Sequence, residues 1–251
     1  MSIQSIQRKL NDILRNAPHK IPKLAEWLNT YLNFIPNEGT NIERRIPNIR
    51  RGQILFVDFG YNVLSEFRYK HYCVALNNSP RINPKVTVIP ITSKEHPHQL
   101  AINYELADRL EDIIRDKERS NFWKPFRRVS AELIDRGFKS IAPAIGSYDT
   151  VYPNCTAFIN NAKAILPRDD KELQSFLDGI LKSLEDFDKF YKASPSLLKS
   201  SYLRIEDITT ISKARIIMPR SSNHPLFQLR LSDETLDQLD QAIIHRFTNS
   251  N

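Results

Sequence analysis

Residues 50–78 read RRGQILFVDFGYNVLSEFRYKHYCVALNN, and this stretch decides the fold. Ile54–Phe59 and Tyr72–Leu76 are apolar runs of strand length, rich in β-branched and aromatic residues. The link between them is not a tight turn, because it carries Ser65, Glu66, Arg68, Tyr69, Lys70 and His71. Reversing a chain direction needs none of those side chains. A loop so loaded with charge and aromatic rings is expected to do chemistry or binding.

Working outward, KVTVIPIT at 85–92 reads as a third strand, and SYLRIEDITTISKARI at 201–216 alternates as strands again. Helical spacing brackets these groups. Ile3, Ile6, Leu10, Ile13 and Leu14 share one face of a helix over 2–16. A second helix over 22–34 opens near Pro22 and turns Leu24, Trp27, Leu28, Tyr31 and Leu32 inward. The Pro-, Gly- and Asn-rich segment that follows it reads as a linker. Beyond residue 105 the helix period returns with Leu106, Leu110, Ile113 and Ile114. The strongest helical pattern spans about 170–192, with Leu173, Phe176, Leu177, Ile180, Leu181, Leu184 and Phe187 on one face. Near the end, Ser232 is an N-cap followed by Asp233 and Glu234, the start of a C-terminal helix. Short strands at about 53–93 and 200–218, split by a long helical stretch, suggest a compact mixed barrel rather than βαβ units.

Composition narrows the function classes. The chain has 36 Lys+Arg against 29 Asp+Glu, a net charge of +7. A basic balance favours nucleic acid or another polyanion. Cys73 and Cys155 form no disulfide framework and have no cysteine partner at metal-ligand spacing. The start has no apolar block of the signal-peptide kind and no apolar run of membrane-spanning length occurs, so the protein is expected in the cytoplasm, away from membranes. Dinucleotide, P-loop, zincin and serine-hydrolase motifs are missing from the sequence. His96 and His98 flank Pro97 without a further ligand cluster, which reads as a solvated turn rather than a metal site.

Four pieces, in order, resemble the MazF/PemK family of toxins. RRGQILFVDFG followed by Ser65-Glu66 is similar to the family's opening strand and its G-S-E loop. VTVIPITSK is similar to its central strand. The segment from Ser201 through Ile208, Thr210, Ile211, Lys213, Arg215 and Ile216 follows its late strand pair, and LSDETLDQLDQAI resembles its closing helix. The resemblance covers about 50–103 and 200–247. It implies an α+β fold: an SH3-like β-barrel with a C-terminal helix over 49–251, interrupted by a mostly helical insertion at about 104–199. Residues 1–48 form an N-terminal helical extension. It further implies the toxin of a type II toxin–antitoxin module, usually a homodimer silenced by a small acidic antitoxin. Such toxins are endoribonucleases that cut single-stranded RNA without metal or cofactor.

Metal-free cleavage by the RNA's own 2′-hydroxyl requires a proton acceptor, a cation for the phosphorane charge and a proton donor for the leaving 5′-oxygen. The resemblance places an arginine at the end of the first inter-strand loop and a Thr or Ser at the end of the P-I-T strand. The threonine matches Thr92, with Ser93 beside it. The arginine position falls on His71, one residue past Lys70 and three past Arg68. Histidine suits acid–base work but lacks arginine's bidentate clamp. The expected catalytic group is therefore His71, Thr92 and Arg68. Lys70, Ser93, Glu66, Lys213 and Arg215 are assigned to RNA binding, and no residue to a metal. The first five of the cations and hydroxyls (Arg68, Lys70, His71, Thr92, Ser93) are expected to converge in one groove.

Blander readings stand beside these. Thr92 suits a strand-end cap, Glu66 a loop brace, Arg51 and Gly52 a structural corner, and Lys213 with Arg215 a solvated strand face. SNFWKPFRR at 120–128 suits base stacking by Phe122, Trp123 and Phe126 beside Lys124, Arg127 and Arg128, or an insertion helix that buries its rings. A barrel that kept the fold and lost the chemistry, serving as a nucleic-acid- or protein-binding module, remains the alternative function. The helices at 2–34 and 170–192 are expected to pack together.

Overall fold

A computed structural model describes residues 2–117, 131, 135, 156–157, 159–164, 170–193, 195, 197, 199–222 and 224–248. Strands β1 (Ile54–Asp58), β2 (Lys70–Ala75), β3 (Lys85–Thr92), β4 (Leu100–Asn103), β5 (Ser201–Leu203), β6 (Thr209–Ser212) and β7 (Ile216–Met218) join in one sheet. Its order is β4-β5-β3-β2-β1-β7, and β6 also pairs with β3. The two strand groups expected from sequence therefore share one open sheet, in an α+β fold. β3 joins them: its first half pairs Val86 with Ile211, and its end pairs Thr92 with Tyr202. On the far edge, Val57 of β1 pairs with Ile216 of β7. Neither group alone could have paired both of its edges.

Apolar burial explains the continuous runs. Leu55, Val57, Cys73, Ala75, Val86, Val88, Ile211 and Ile216 face one core, joined by Phe59 and by Ile46 and Ile49 from the preceding segment. The alternating residues Ile54, Val74, Ile89 and Leu203 are buried as well. Both faces of the sheet are covered, so the strands read as unbroken hydrophobic stretches. Each buried Val, Leu, Ile or Phe among them stabilises the fold by about 1.5–3 kcal/mol relative to exposure. Cys73 acts here as a small buried hydrophobe; burial pushes its thiol well above the usual range.

The corner at Arg51-Gly52 ties β1 to the C-terminal helix α5 (Asp233–Thr248; α1–α4 are given below). Gly52 has φ 82°, and a Cβ there would lie 3.0 Å from Arg230 Cγ and Leu236 Cδ1. Arg51 pairs with Asp240, and the Gly52 carbonyl accepts from the Leu231 N–H at 3.0 Å. Ser232 caps α5 as expected, its Oγ accepting from Thr235 N–H at 3.1 Å.

The chain divides into two compact units, Met1–Ile102 with Ser201–Asn251, and Asn103–Ser200. Within the second unit, α3 (Glu105–Lys117) buries Leu106 and Leu110, and α4 (Lys171–Ala193) buries Leu177, Ile180 and Phe190. The side chains of Ile114, Leu184 and Phe187, the stretch 120–128 and Cys155 lie outside the described residues.

Helices α1 (Ile3–Asn16) and α2 (Ile21–Phe34) belong to the first unit, and α4 belongs to the second. Neither contains a fully buried residue. The wide inward face expected for α2 is not formed: Leu28, Tyr31 and Leu32 are exposed. Instead α2 meets the loop and sheet through Lys23 over Tyr69, Glu26 to Lys70, and Trp27 and Tyr31 near Arg215, at helical spacing. No described helix is long and apolar enough to cross a membrane.

Candidate functional site

The loop from Phe59 to Tyr69, between β1 and β2, is braced from within. Asp58 Oδ1 accepts from the Gly60 N–H at 2.9 Å, and Glu66 Oε2 from the Val63 N–H at 3.0 Å. Asn62 Nδ2 donates to the Phe67 carbonyl at 2.7 Å. Its mouth is closed by Phe59 N–H to Tyr69 O at 2.9 Å and Tyr69 N–H to Gly60 O at 2.8 Å. That closure holds Tyr69 at φ 73°, a conformation that residues with side chains rarely adopt. Glu66 is thus the loop brace, through a backbone N–H rather than an arginine.

Phe67 turns back toward the core, edge-on to Phe59 at 5.2 Å and tilted against His71 at 4.5 Å. The Arg204 guanidinium stands over the other reach of Phe67, 5.4 Å from its centre. His71 is half-buried beside it. Desolvation lowers its pKa below the ordinary histidine value; Arg204 and Lys23 push the same way, and a hydrogen bond to the Arg68 backbone only partly opposes them. The resting imidazole is neutral at pH 7, as a proton acceptor must be.

Strand pairing separates residues that are adjacent in sequence. Val57 pairs with His71 and Asp58 with Lys70. Val57 belongs to the core side, so His71 takes that side and Lys70 the other. The β2–β3 ladder ends at Cys73–Pro90, two residues short of both His71 and Thr92 on their own strands, and Thr92 itself pairs with Tyr202 of β5. Thr92 Oγ1 accepts from the Lys94 N–H at 3.1 Å, capping the strand end, and Ser93 is exposed. Arg204 follows β5, the partner of β3 at Thr92, and its N–H bonds the Pro90 carbonyl at 3.0 Å. His71 and Arg204 therefore meet at Phe67, and Thr92 ends the strand that pairs with β5 just before Arg204.

The remaining assigned cations go elsewhere, and the expected single groove of five residues is not formed. Lys70 Nζ pairs with Glu26 at 2.5 Å and holds that carboxyl below its usual range. Arg68 lies over Tyr69 at 5.3 Å and Tyr61 at 5.8 Å. Arg215 Nη1 donates to the Phe59 carbonyl at 2.7 Å and stacks on Trp27 at 5.1 Å, so it anchors α2 to the loop. Lys213 is 0% exposed; its Nζ donates to Ser79 O at 3.1 Å and Pro80 O at 2.7 Å. An ammonium enclosed by carbonyls has no surface for a phosphate, and its burial pushes its pKa down. The RNA-binding role expected of Lys213 is thereby corrected to a structural one.

Arg204 was not among the residues expected from sequence. Its signal was its place, one residue beyond the strand that pairs with the Thr92 strand end. Among the described residues, no cluster of three or more His, Cys, Asp or Glu could hold a metal ion. No protein-family model matches this sequence, and no curated protein matches it.

Proposed function

We propose that this chain is a toxin-type endoribonuclease of the MazF/PemK kind, built on an SH3-like barrel, that cleaves single-stranded RNA without metal or cofactor. The observation that supports it is the group at one strand end: a neutral, desolvated His71 against Phe67, with the Arg204 cation beside it and the Thr92 hydroxyl on the paired strand. His71 accepts the 2′-hydroxyl proton as that oxygen attacks phosphorus. Arg204, held by Asp207, supplies charge to the phosphorane, and Thr92 donates a hydrogen bond to a non-bridging oxygen. The bond from phosphorus to the 5′-oxygen breaks, and the protonated imidazole returns its proton there. The products are a 2′,3′-cyclic phosphate and a 5′-hydroxyl. The reading implies a cytoplasmic protein that pairs with a second copy and with a small acidic antitoxin.

The diversion of Lys70 to Glu26 and the capping role of Thr92 favour a second reading, a binding module of the same fold without chemistry. One experiment separates them. Purified chain is incubated with end-labelled single-stranded RNA in excess chelator and the new ends are identified. Cyclic phosphate ends support the nuclease. RNA that binds but stays intact leaves the module, and cutting only on addition of magnesium overturns the metal-free chemistry.

A further inference from the structure

Next to His71, the loop and helix α2 build a second surface that the chemistry above does not use. Arg68 lies between two tyrosine rings, 5.3 Å from Tyr69 and 5.8 Å from Tyr61, and those rings meet edge to face at 5.8 Å. Lys23 of α2 stands 4.3 Å over the Tyr69 ring. Next to them Lys70 carries its only ion pair among the described residues, to Glu26, with side chains 45% and 59% exposed. Cations stacked on these partly buried rings are not needed to close the loop, which backbone hydrogen bonds already do. Tyr69 also keeps a large ring at φ 73°, where Asn or Gly would sit with less strain. Strain retained at a partly buried aromatic, when a better-suited residue exists, marks a side chain kept for what it contacts.

We propose that Tyr61, Arg68 and Tyr69, with Lys23 from α2, form a base-stacking platform for single-stranded RNA, and that Lys70 takes the adjoining phosphate when Glu26 is displaced. The proposal rests on the RNA reading above and adds which residues grip the strand beside the cleaved bond. Aromatic faces accept any base, and flanking cations track the backbone, so the platform grips the polymer without reading its sequence. Glu26 occupies the anion position on Lys70 in the resting chain. An exposed pair of this kind is weak and salt-screened, so a phosphate displaces it readily. Because α2 supplies both Lys23 and Glu26, the N-terminal extension becomes part of the binding surface.

The test measures the affinity of the full chain for a fluorescent oligouridylate by anisotropy, at several salt concentrations, with thermal melting alongside. Tyr69→Asn removes the ring but suits the left-handed backbone. It should keep or raise the melting temperature while weakening binding about five- to a hundredfold, the range for losing one stacked base. Tyr61→Ala should weaken binding similarly. Glu26→Gln should tighten binding at low salt, with the gain vanishing as salt rises. If Tyr69→Asn and Tyr61→Ala bind like the wild type, the platform is wrong even though the nuclease reading stands. If they lose binding while the wild type leaves RNA uncut, the platform stands and the cleavage reading falls. A wild-type chain that does not bind the oligouridylate overturns the platform outright, and the chelator assay then judges the nuclease alone.

Discussion

Lys70 and His71 are neighbours in the chain with opposite circumstances. His71 turns to the core side, packs on Phe67 and is kept neutral by desolvation. Lys70 turns to the other side, stays in solvent and pairs with Glu26 of α2. The difference comes from the two-residue period of a strand, which sends successive side chains to opposite faces. One residue of separation thus divides the region into a face suited to bond breaking and a face suited to holding a polymer. The first is desolvated, where proton transfer and charge stabilisation are strong. The second is wet, where cations exchange partners easily.

The comparison breaks most sharply at His71. His71→Ala should lower the cleavage rate by about 10²–10⁴ with RNA still bound, measured in single-turnover assays. Lys70→Ala should instead weaken binding and reduce the slope of log K against log salt by about 0.7, the value for one phosphate contact on a single strand. Equal effects of the two substitutions on rate would erase the division between faces. The next largest effect is on stability. Lys213→Met removes the charged donor from Ser79 O and Pro80 O, which keep the backbone N–H groups of Ile49 and Asn83. It should cost about 1–3 kcal/mol in denaturant unfolding, with the salt slope of RNA binding unchanged. A changed slope would return Lys213 to the binding surface.

Gly60→Ala sharpens the role of α2. Gly60 has φ 91°, and a Cβ there would lie 2.8 Å from the Trp27 indole. The substitution should cost about 1–3 kcal/mol from backbone strain alone and shift the Trp27 fluorescence as the indole is pushed off. Unchanged fluorescence would mean that α2 does not rest there.

The smallest effect concerns pH. The His71 pKa in the folded chain is lowered, so between that value and the ordinary histidine value near 6.5 the unfolded chain binds more protons. Stability must therefore rise with pH across that window and be at its lowest below it. The rate, which needs the neutral base, should rise with pH along an acid limb that inflects below 6.5. His71→Gln should flatten both profiles.

Much of the fold was legible. Strand runs such as ILFV and VTVIP are continuous because both faces are buried, and helix starts such as Ser232 announce themselves chemically. The site was legible in part. His71 and Thr92 stand out by residue type and place, each two residues beyond the last pair of the β2–β3 ladder. The expectation that Lys70 shares their groove overlooked strand alternation, which the same residues already dictated. Lys213 reads as a solvated strand lysine because the carbonyls that enclose it come from Ser79 and Pro80, far away in the chain. Arg204 and the Lys23–Glu26–Trp27 row were hidden for a similar reason. Their meaning depends on which strand or loop they land beside, and no local pattern encodes that.

The central claim is that His71 and Arg204 act as one unit on the desolvated face. Single-turnover cleavage by His71→Ala, Arg204→Ala and the double variant tests it directly, because groups that work together are strongly non-additive. The account predicts that either single substitution removes most of the rate and that the double loses little more. Cleavage by Arg204→Ala at the wild-type rate, or a double variant whose loss is the product of the two singles, would contradict it.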